Sequence, residues 1–295
     1  MAQLIKLSDY ISRYEIDIYR YPGRYVRLKK ERWNQLQKEH QKDDFMNSER
    51  DDKIGHVTDK IGGLWNKMTQ LNKQSKENER TWLSKKEVSM EYLRTSFLHD
   101  LFQFQLKWAS STISEISYVN KRFYHDSLLT FLLRELPDTC FVLYEPVFLV
   151  KKAPVDLNII IITPFEIWLL TPLFGNEKTV FRPDSERFWL RINGTKEEKF
   201  INPIVSIKRM RTVIEPILVE AGLSCPIRTA IMAKDSYIDV TPSQNTIKKI
   251  DRRTIQDWKK GLVMKAAPIK HGQLKIAEAL LYHCVANAQE RTPNI

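Results

Sequence analysis

The chain has 295 residues, enough for one large domain or two smaller ones, and its 42% apolar content can supply a sizeable core, which excludes a disordered chain. With 47 Lys and Arg against 36 Asp and Glu, the net charge is +11, which favours polyanionic partners such as nucleic acid or an acidic membrane surface. Three widely separated cysteines (Cys140, Cys225 and Cys284) exclude a disulfide framework or a zinc cluster, and the absence of a Walker A or Gly-rich loop excludes a phosphate-cradling kinase or NTPase.

The opening MAQLIKLSDYISRYE holds no apolar run of signal-peptide length and carries charge from Lys6 onward, so a cytoplasmic protein is expected. Residues 1–119 show almost no strand pattern and read as a helical, charged N-terminal region. Within it, Ser12 to Trp33 interleaves Arg13, Arg20, Arg24, Arg27, Lys29, Lys30 and Arg32 with tyrosines. Such a mixture suits phosphate contact with base stacking, with Arg20, Arg24, Arg27, Lys29 and Lys30 as nucleic-acid-binding candidates. It equally suits a helix pair around Pro22-Gly23 whose aromatics pack inward while the arginines stay solvated. The run Gln41 to Lys60 is highly charged and predicts an exposed loop or a mobile helix, and Gly62-Gly63 a break between helices. Leu64, Met68 and Leu71, then Leu93, Phe97, Leu101, Phe104 and Trp108, recur at helical spacing and mark packing seams.

From about residue 120 short apolar runs alternate with helical segments, which predicts an α/β domain over 120–295. His125 to Asp138 reads as a helix and Cys140 to Val150, CFVLYEPVFLV, as a strand. Ile159–Ile162 and Ile167–Leu170 read as a buried hairpin closed by Thr163-Pro164-Phe165-Glu166. In that register Asp156 faces Leu173 and Asn158 faces Thr171. The stretch Ile159 to Phe174 is short of the roughly 20 residues of a spanning helix and contains Pro164 and Glu166, so no membrane span is expected. Asn202 as N-cap and Pro203 at the first helical position open a helix that Gly222 stops and Pro216 should kink or shorten. Ile227–Ala233 and Tyr237–Val240 suit two further strands, and QLKIAEALLYHCVANAQ a terminal helix.

The order of these elements between Phe123 and Leu218 resembles the nuclease-related domain (NERD), a family with the PD-(D/E)xK nuclease fold. The resemblance implies a restriction-endonuclease-like mixed sheet flanked by helices. In such nucleases an Asp on one strand and a Glu-x-Lys on its neighbour bind magnesium and activate water. Here Asp156 stands at the Asp position, but the Glu-x-Lys falls on Thr171-Pro172-Leu173. The family's Asn-Pro-x-x-Gln becomes Asn202-Pro203-Ile204-Val205-Ser206, and the Glu of its first helix falls on or near Asp126. The resemblance thus implies a degenerate site at Asp126, Asp156, Thr171, Leu173 and Ser206, with Asp156 as the surviving metal ligand.

Read without the resemblance, Asp156 is a strand-end carboxylate and Asp126 a helix cap or first-turn charge. Lys208, Arg209 and Arg211, after Asn202-Pro203, suit either a phosphate or plain solvent. The expected function is a nucleic-acid-associated protein that binds without cutting, with no cofactor. The alternatives are a magnesium-dependent nuclease with migrated ligands and a scaffold whose helical N-terminal region binds a protein partner.

Overall fold

The computed structural model describes residues 1–48, 90–240 and 247–291, with backbone alone over 41–48. Gly62, Gly63 and the stripe Leu64, Met68, Leu71 lie outside the described residues, as does most of the charged run Gln41 to Lys60. The elements are β1 (Gln3–Leu7), α1 (Arg13–Ile16), α2 (Tyr21–Ser48), α3 (Met90–Trp108), β2 (Glu115–Ile116), a 3-10 turn (Lys121–His125), α4 (Ser127–Glu135), β3 (Phe141–Tyr144), β4 (Val147–Val150) and β5 (Ala153–Asp156). They continue as β6 (Ile159–Ile162), β7 (Ile167–Pro172), β8 (Thr179–Pro183), β9 (Phe188–Asn193), β10 (Lys196–Ile201), α5 (Pro203–Glu220), β11 (Ile227–Ala233), β12 (Tyr237–Ile238), β13 (Lys248–Asp251), α6 (Ile255–Met264), α7 (His271–Tyr282) and β14 (Gln289–Glu290).

The chain divides into two compact units, one of residues 1–27 and 100–295 and one of residues 28–99. In the second, the described parts of α2 and α3 are helical, and the rings of Trp33 and Phe97 lie 5.1 Å apart, as the apolar seam of α3 predicts. The first unit is a mixed α/β body built on a six-stranded sheet of order β1-β3-β6-β7-β11-β13. Its strands are antiparallel at β3–β6 and β6–β7 and parallel elsewhere. One face meets Leu128, Leu129, Leu132 and Leu133 of α4 and Trp258 of α6 in a single apolar cluster. On the other face α5 packs along β7 and β11, and α7 along β6. Cover on both faces explains why Ile159–Ile162 are all buried and why the run is continuous rather than alternating. Each such isoleucine contributes roughly 1.5–3 kcal/mol.

The β6–β7 hairpin has the expected register, with Ile159 opposite Leu170 and Ile162 opposite Ile167. Its turn closes through Thr163 N–H to Glu166 C=O at 3.0 Å, and the Thr163 hydroxyl also accepts the Glu166 N–H at 3.0 Å.

Several expectations need correction. The helical reading of residues 1–119 fails at Gln3–Leu7, which form the edge strand β1, parallel to β3. All five residues are buried, including Gln3 and Lys6, so no polar–apolar alternation betrays the strand. The run Cys140 to Val150 is two strands rather than one: Glu145 takes a left-handed backbone (φ 49°) before Pro146, and β4 leaves the central sheet to pair with β5. Asp156 therefore ends β5, opposite Val147, and does not share a ladder with Leu173. Pro216 does not shorten α5, because Val213, Ile214, Ile217 and Leu218 are buried on either side of it and hold the last turns in place. The terminal helix stops at Tyr282. Sequence periodicity also passed over β8, β9 and β10, which with the expected strand β12 form a second sheet of order β10-β9-β8-β12; these three exposed and charged strands bury few side chains beyond Thr179, Phe181 and Trp189. Among the described residues no helix is long and apolar enough to cross a membrane.

Candidate functional site

The central sheet opens at one end into a cleft of about 450 Å³ between the ends of β1, β3 and β7 and the start of β6. Arg122, Tyr144, Glu145, Asp156, Asn158 and Phe174 line it.

Asp126 is the N-cap of α4: one carboxylate oxygen accepts the N–H groups of Leu128 and Leu129, both at 2.9 Å, and the other accepts the Tyr144 phenol at 2.7 Å. The helix-cap reading of this residue is the one the fold adopts. Burial and the adjacent Asp126 carboxylate push the Tyr144 phenol well up, so it stays a hydrogen-bond donor.

Glu145 was missed by sequence reasoning, and its one signal was a Glu-Pro pair interrupting an apolar strand. Its N–H donates to Asn158 C=O at 2.7 Å, and its carboxylate takes the Arg122 guanidinium. Burial raises its pKa, Arg122 opposes that rise, and Asp126 and Asp156 add to it. Among the described residues, four non-glycines have positive φ: Ser8 and Glu145 line the cleft, and Lys151 and Lys152 form the turn of the β4–β5 hairpin that delivers Asp156. Such strained backbone concentrates at functional sites.

Of the remaining degenerate positions, Ser206 on α5 donates to Asn158 Oδ1 at 3.2 Å, which draws the Asn-Pro-x-x-Ser helix to the start of β6. Thr171 is buried and its hydroxyl has no hydrogen-bond partner. Leu173 lies one residue past β7, tied by its N–H to Met232 C=O at 2.7 Å. Asp156 is exposed.

Magnesium, which the family resemblance implies, does not fit these residues. It takes several oxygen ligands in octahedral geometry. Both oxygens of Asp126 are already engaged, Leu173 offers none, and among the described residues no group of three His, Cys, Asp or Glu side chains could hold a metal ion. Asp156 alone remains of the expected metal site.

The basic candidates divide. Arg20 is exposed and Arg24 half-buried; Arg27 belongs with them to the first unit, and Lys29 and Lys30 to the second. The rings among them point inward, since Tyr14, Tyr21 and Tyr25 are buried against Trp108. Base stacking on these tyrosines is therefore excluded, and the inward-packing alternative describes them. Tyr19 is exposed, but its hydroxyl is held by Glu278 at 2.6 Å. On α5, Lys208 and Arg209 are exposed, whereas Arg211 pairs with Glu215 one turn on. Thiol chemistry has no support: burial pushes Cys140 and Cys284 up to about 12.

No family model matches the chain, and no solved structure matches it. An RNA 2',3'-cyclic phosphodiesterase from Geobacillus stearothermophilus is 32% identical over 114 residues, which cover 36% of this chain. The match spans only 36% of the length of that protein.

Proposed function

We propose that this chain is a nucleic-acid-binding protein of the nuclease-related type, whose cleft holds a phosphodiester without magnesium-dependent cutting. In this reading the six-stranded mixed sheet, with α4 and α5 on opposite faces, is a restriction-endonuclease-like core. The observation that carries the proposal is the substitution at the catalytic end of the hairpin. Where a nuclease places Glu and Lys, this chain places the partnerless Thr171 hydroxyl and the Leu173 side chain, neither able to hold a metal or steady a developing charge. The cleft keeps what binding needs: Arg122 for a phosphate, and Phe174, 60% exposed, for a base. The test is a salt-dependent titration with single-stranded and duplex DNA and RNA, run beside a cleavage assay with magnesium or manganese. Binding without cleavage is expected, weakened about 5-fold or more by Phe174→Ala. Robust cleavage that disappears in Asp156→Ala overturns the proposal.

A second reading has its own support in the Glu145–Arg122 pair. A carboxylate raised by burial can take a proton from water, and a guanidinium beside it can stabilise the oxygens of an attacked phosphate, so phosphodiester hydrolysis without a metal is chemically open to this cleft. The partial likeness to a cyclic phosphodiesterase points the same way. Turnover of a nucleoside 2',3'-cyclic phosphate in excess chelator, lost in Glu145→Gln, would establish it.

A further inference from the structure

Away from the cleft, four cations converge from segments remote in sequence: Arg13 on α1, Arg24 on α2, Lys107 in the last turn of α3, and Arg291 after β14. The turn that follows α3 organises them. Arg13 Nε donates to Ser111 C=O at 3.3 Å, and its guanidinium lies 5.5 Å from the Trp108 ring centroid. Arg291 donates from its backbone to Ser114 C=O at 2.8 Å and from Nε to Glu115 C=O at 3.4 Å. Lys107 opens the same turn, its C=O accepting the Ser111 hydroxyl at 2.7 Å.

Among the described residues none of the four forms a salt bridge, and Glu115 is the one carboxylate in the turn that organises them. The four cations act on one another. Lys107 is held below its ordinary value by burial first and then by Arg291 and Arg13. Burial likewise lowers Arg13, and Arg291 and Arg24 lower it further against the opposing effect of Tyr21. Holding like charges together, three of them half-buried, destabilises a free protein, and an anion from outside relieves that repulsion. The guanidinium fork matches the oxygens of a phosphate in particular.

We infer that Arg13, Arg24, Lys107 and Arg291 form a second phosphate-binding site, occupied by the backbone of a nucleic-acid strand. The inference rests on the nucleic-acid reading of the cleft and adds a contact that the cleft does not supply. A linear polyanion fits better than a membrane surface. Exposed Arg20, in the turn that leads into α2, accepts the Arg24 N–H at its C=O and adds charge beside Arg24, while Tyr14, Tyr21, Tyr25 and Trp108 are buried and unable to insert into lipid.

The test uses the full chain and a fluorescent single-stranded 20-nucleotide RNA, followed by anisotropy across a salt series. The double variant Lys107→Gln, Arg291→Gln should lose about tenfold or more in affinity at low salt, and its salt dependence should flatten by about 0.7 for each phosphate contact removed. Its melting temperature should hold or rise, because repulsion has been removed, whereas a purely structural role would lower it. If the double variant fails to fold, Arg291→Gln alone, at an exposed position, should give a smaller loss of affinity in the same direction. Wild-type binding that is undiminished in the variant overturns this inference and leaves the cleft reading standing. A wild-type protein that ignores the oligonucleotide overturns both, as does one that binds phosphatidylglycerol vesicles in its place.

Discussion

The Tyr144 phenol donates to the same Asp126 carboxylate that caps α4, and so ties the start of the helix to the end of β3 at the cleft wall. Asp126→Ala removes the cap, worth about 1 kcal/mol, and leaves the buried phenol unpartnered, worth about 1–3 kcal/mol. A total loss of about 2–4 kcal/mol in urea denaturation is expected, and Asp126→Asn should recover part of it by restoring an oxygen to the cap. A change below about 0.5 kcal/mol would show that the phenol finds water instead.

Lys6 is fully buried on β1 and is held by Tyr10 C=O at 2.7 Å and by the Glu15 carboxylate. Glu15→Ala should cost about 3–5 kcal/mol, because it leaves a buried ammonium uncompensated. Replacing both residues, Lys6→Met with Glu15→Ala, should return most of that loss, since an apolar pair often matches a buried ion pair. Chemical denaturation of the three proteins checks the order, and a double variant as unstable as Glu15→Ala would contradict it.

What the sequence made legible, and what it hid, follows from how each segment is covered. The β6–β7 register could be read because Thr163 and Glu166 close a turn whose chemistry is local and whose strands are uniformly apolar. β1 could not, because Gln3 and Lys6 are buried polar residues whose partners lie elsewhere in the chain, in Asp138 and Glu15. The alignment of Asp156 with Leu173 assumed one unbroken strand through residues 156–162, whereas Glu145 N–H takes Asn158 C=O and Leu157 N–H takes Pro146 C=O, which turns the chain away from the ladder. Of the candidate site, Asp126, Asp156 and Ser206 were visible as motif positions. Glu145 was not, since only a φ of 49° and a pairing with Arg122, 23 residues earlier, distinguish it from an ordinary strand end.

Tyr14, Tyr25 and Tyr144 are buried, and burial is the first cause that raises each phenol above its ordinary value. A raised pKa means that the unfolded chain loses these protons first, so the stability these three phenols contribute is intact below about pH 10 and is lost above it. The slope should reach about 1.4 kcal/mol per pH unit for each tyrosine. Urea midpoints at pH 8 and 11 should therefore separate, with the buried thiols Cys140 and Cys284 adding to the gap, and Tyr25→Phe should narrow it by about 1.4 kcal/mol. A gap unchanged by Tyr25→Phe would mean that Tyr25 ionises as readily folded as unfolded.

Glu145 combines a left-handed backbone, a half-buried carboxylate and a partner, Arg122, whose side chain is 60% exposed. For a residue with a Cβ that backbone costs roughly 1–2 kcal/mol, which glycine does not incur. The exposed ion pair returns less than about 1 kcal/mol. Glu145→Gly should therefore stabilise the protein by about 1 kcal/mol at pH 7. The direction of its pKa shift adds a second test. Because the folded pKa is raised, the charged form weighs against folding at neutral pH, and that penalty disappears as acid protonates the group. The advantage of Glu145→Gly should accordingly shrink as pH falls toward about 4, leaving the backbone contribution alone. If the strain serves the cleft, the more stable variant should also bind single-stranded RNA more weakly, or lose any cyclic-phosphate turnover. A Glu145→Gly protein that is less stable than wild type would assign Glu145 a structural role instead.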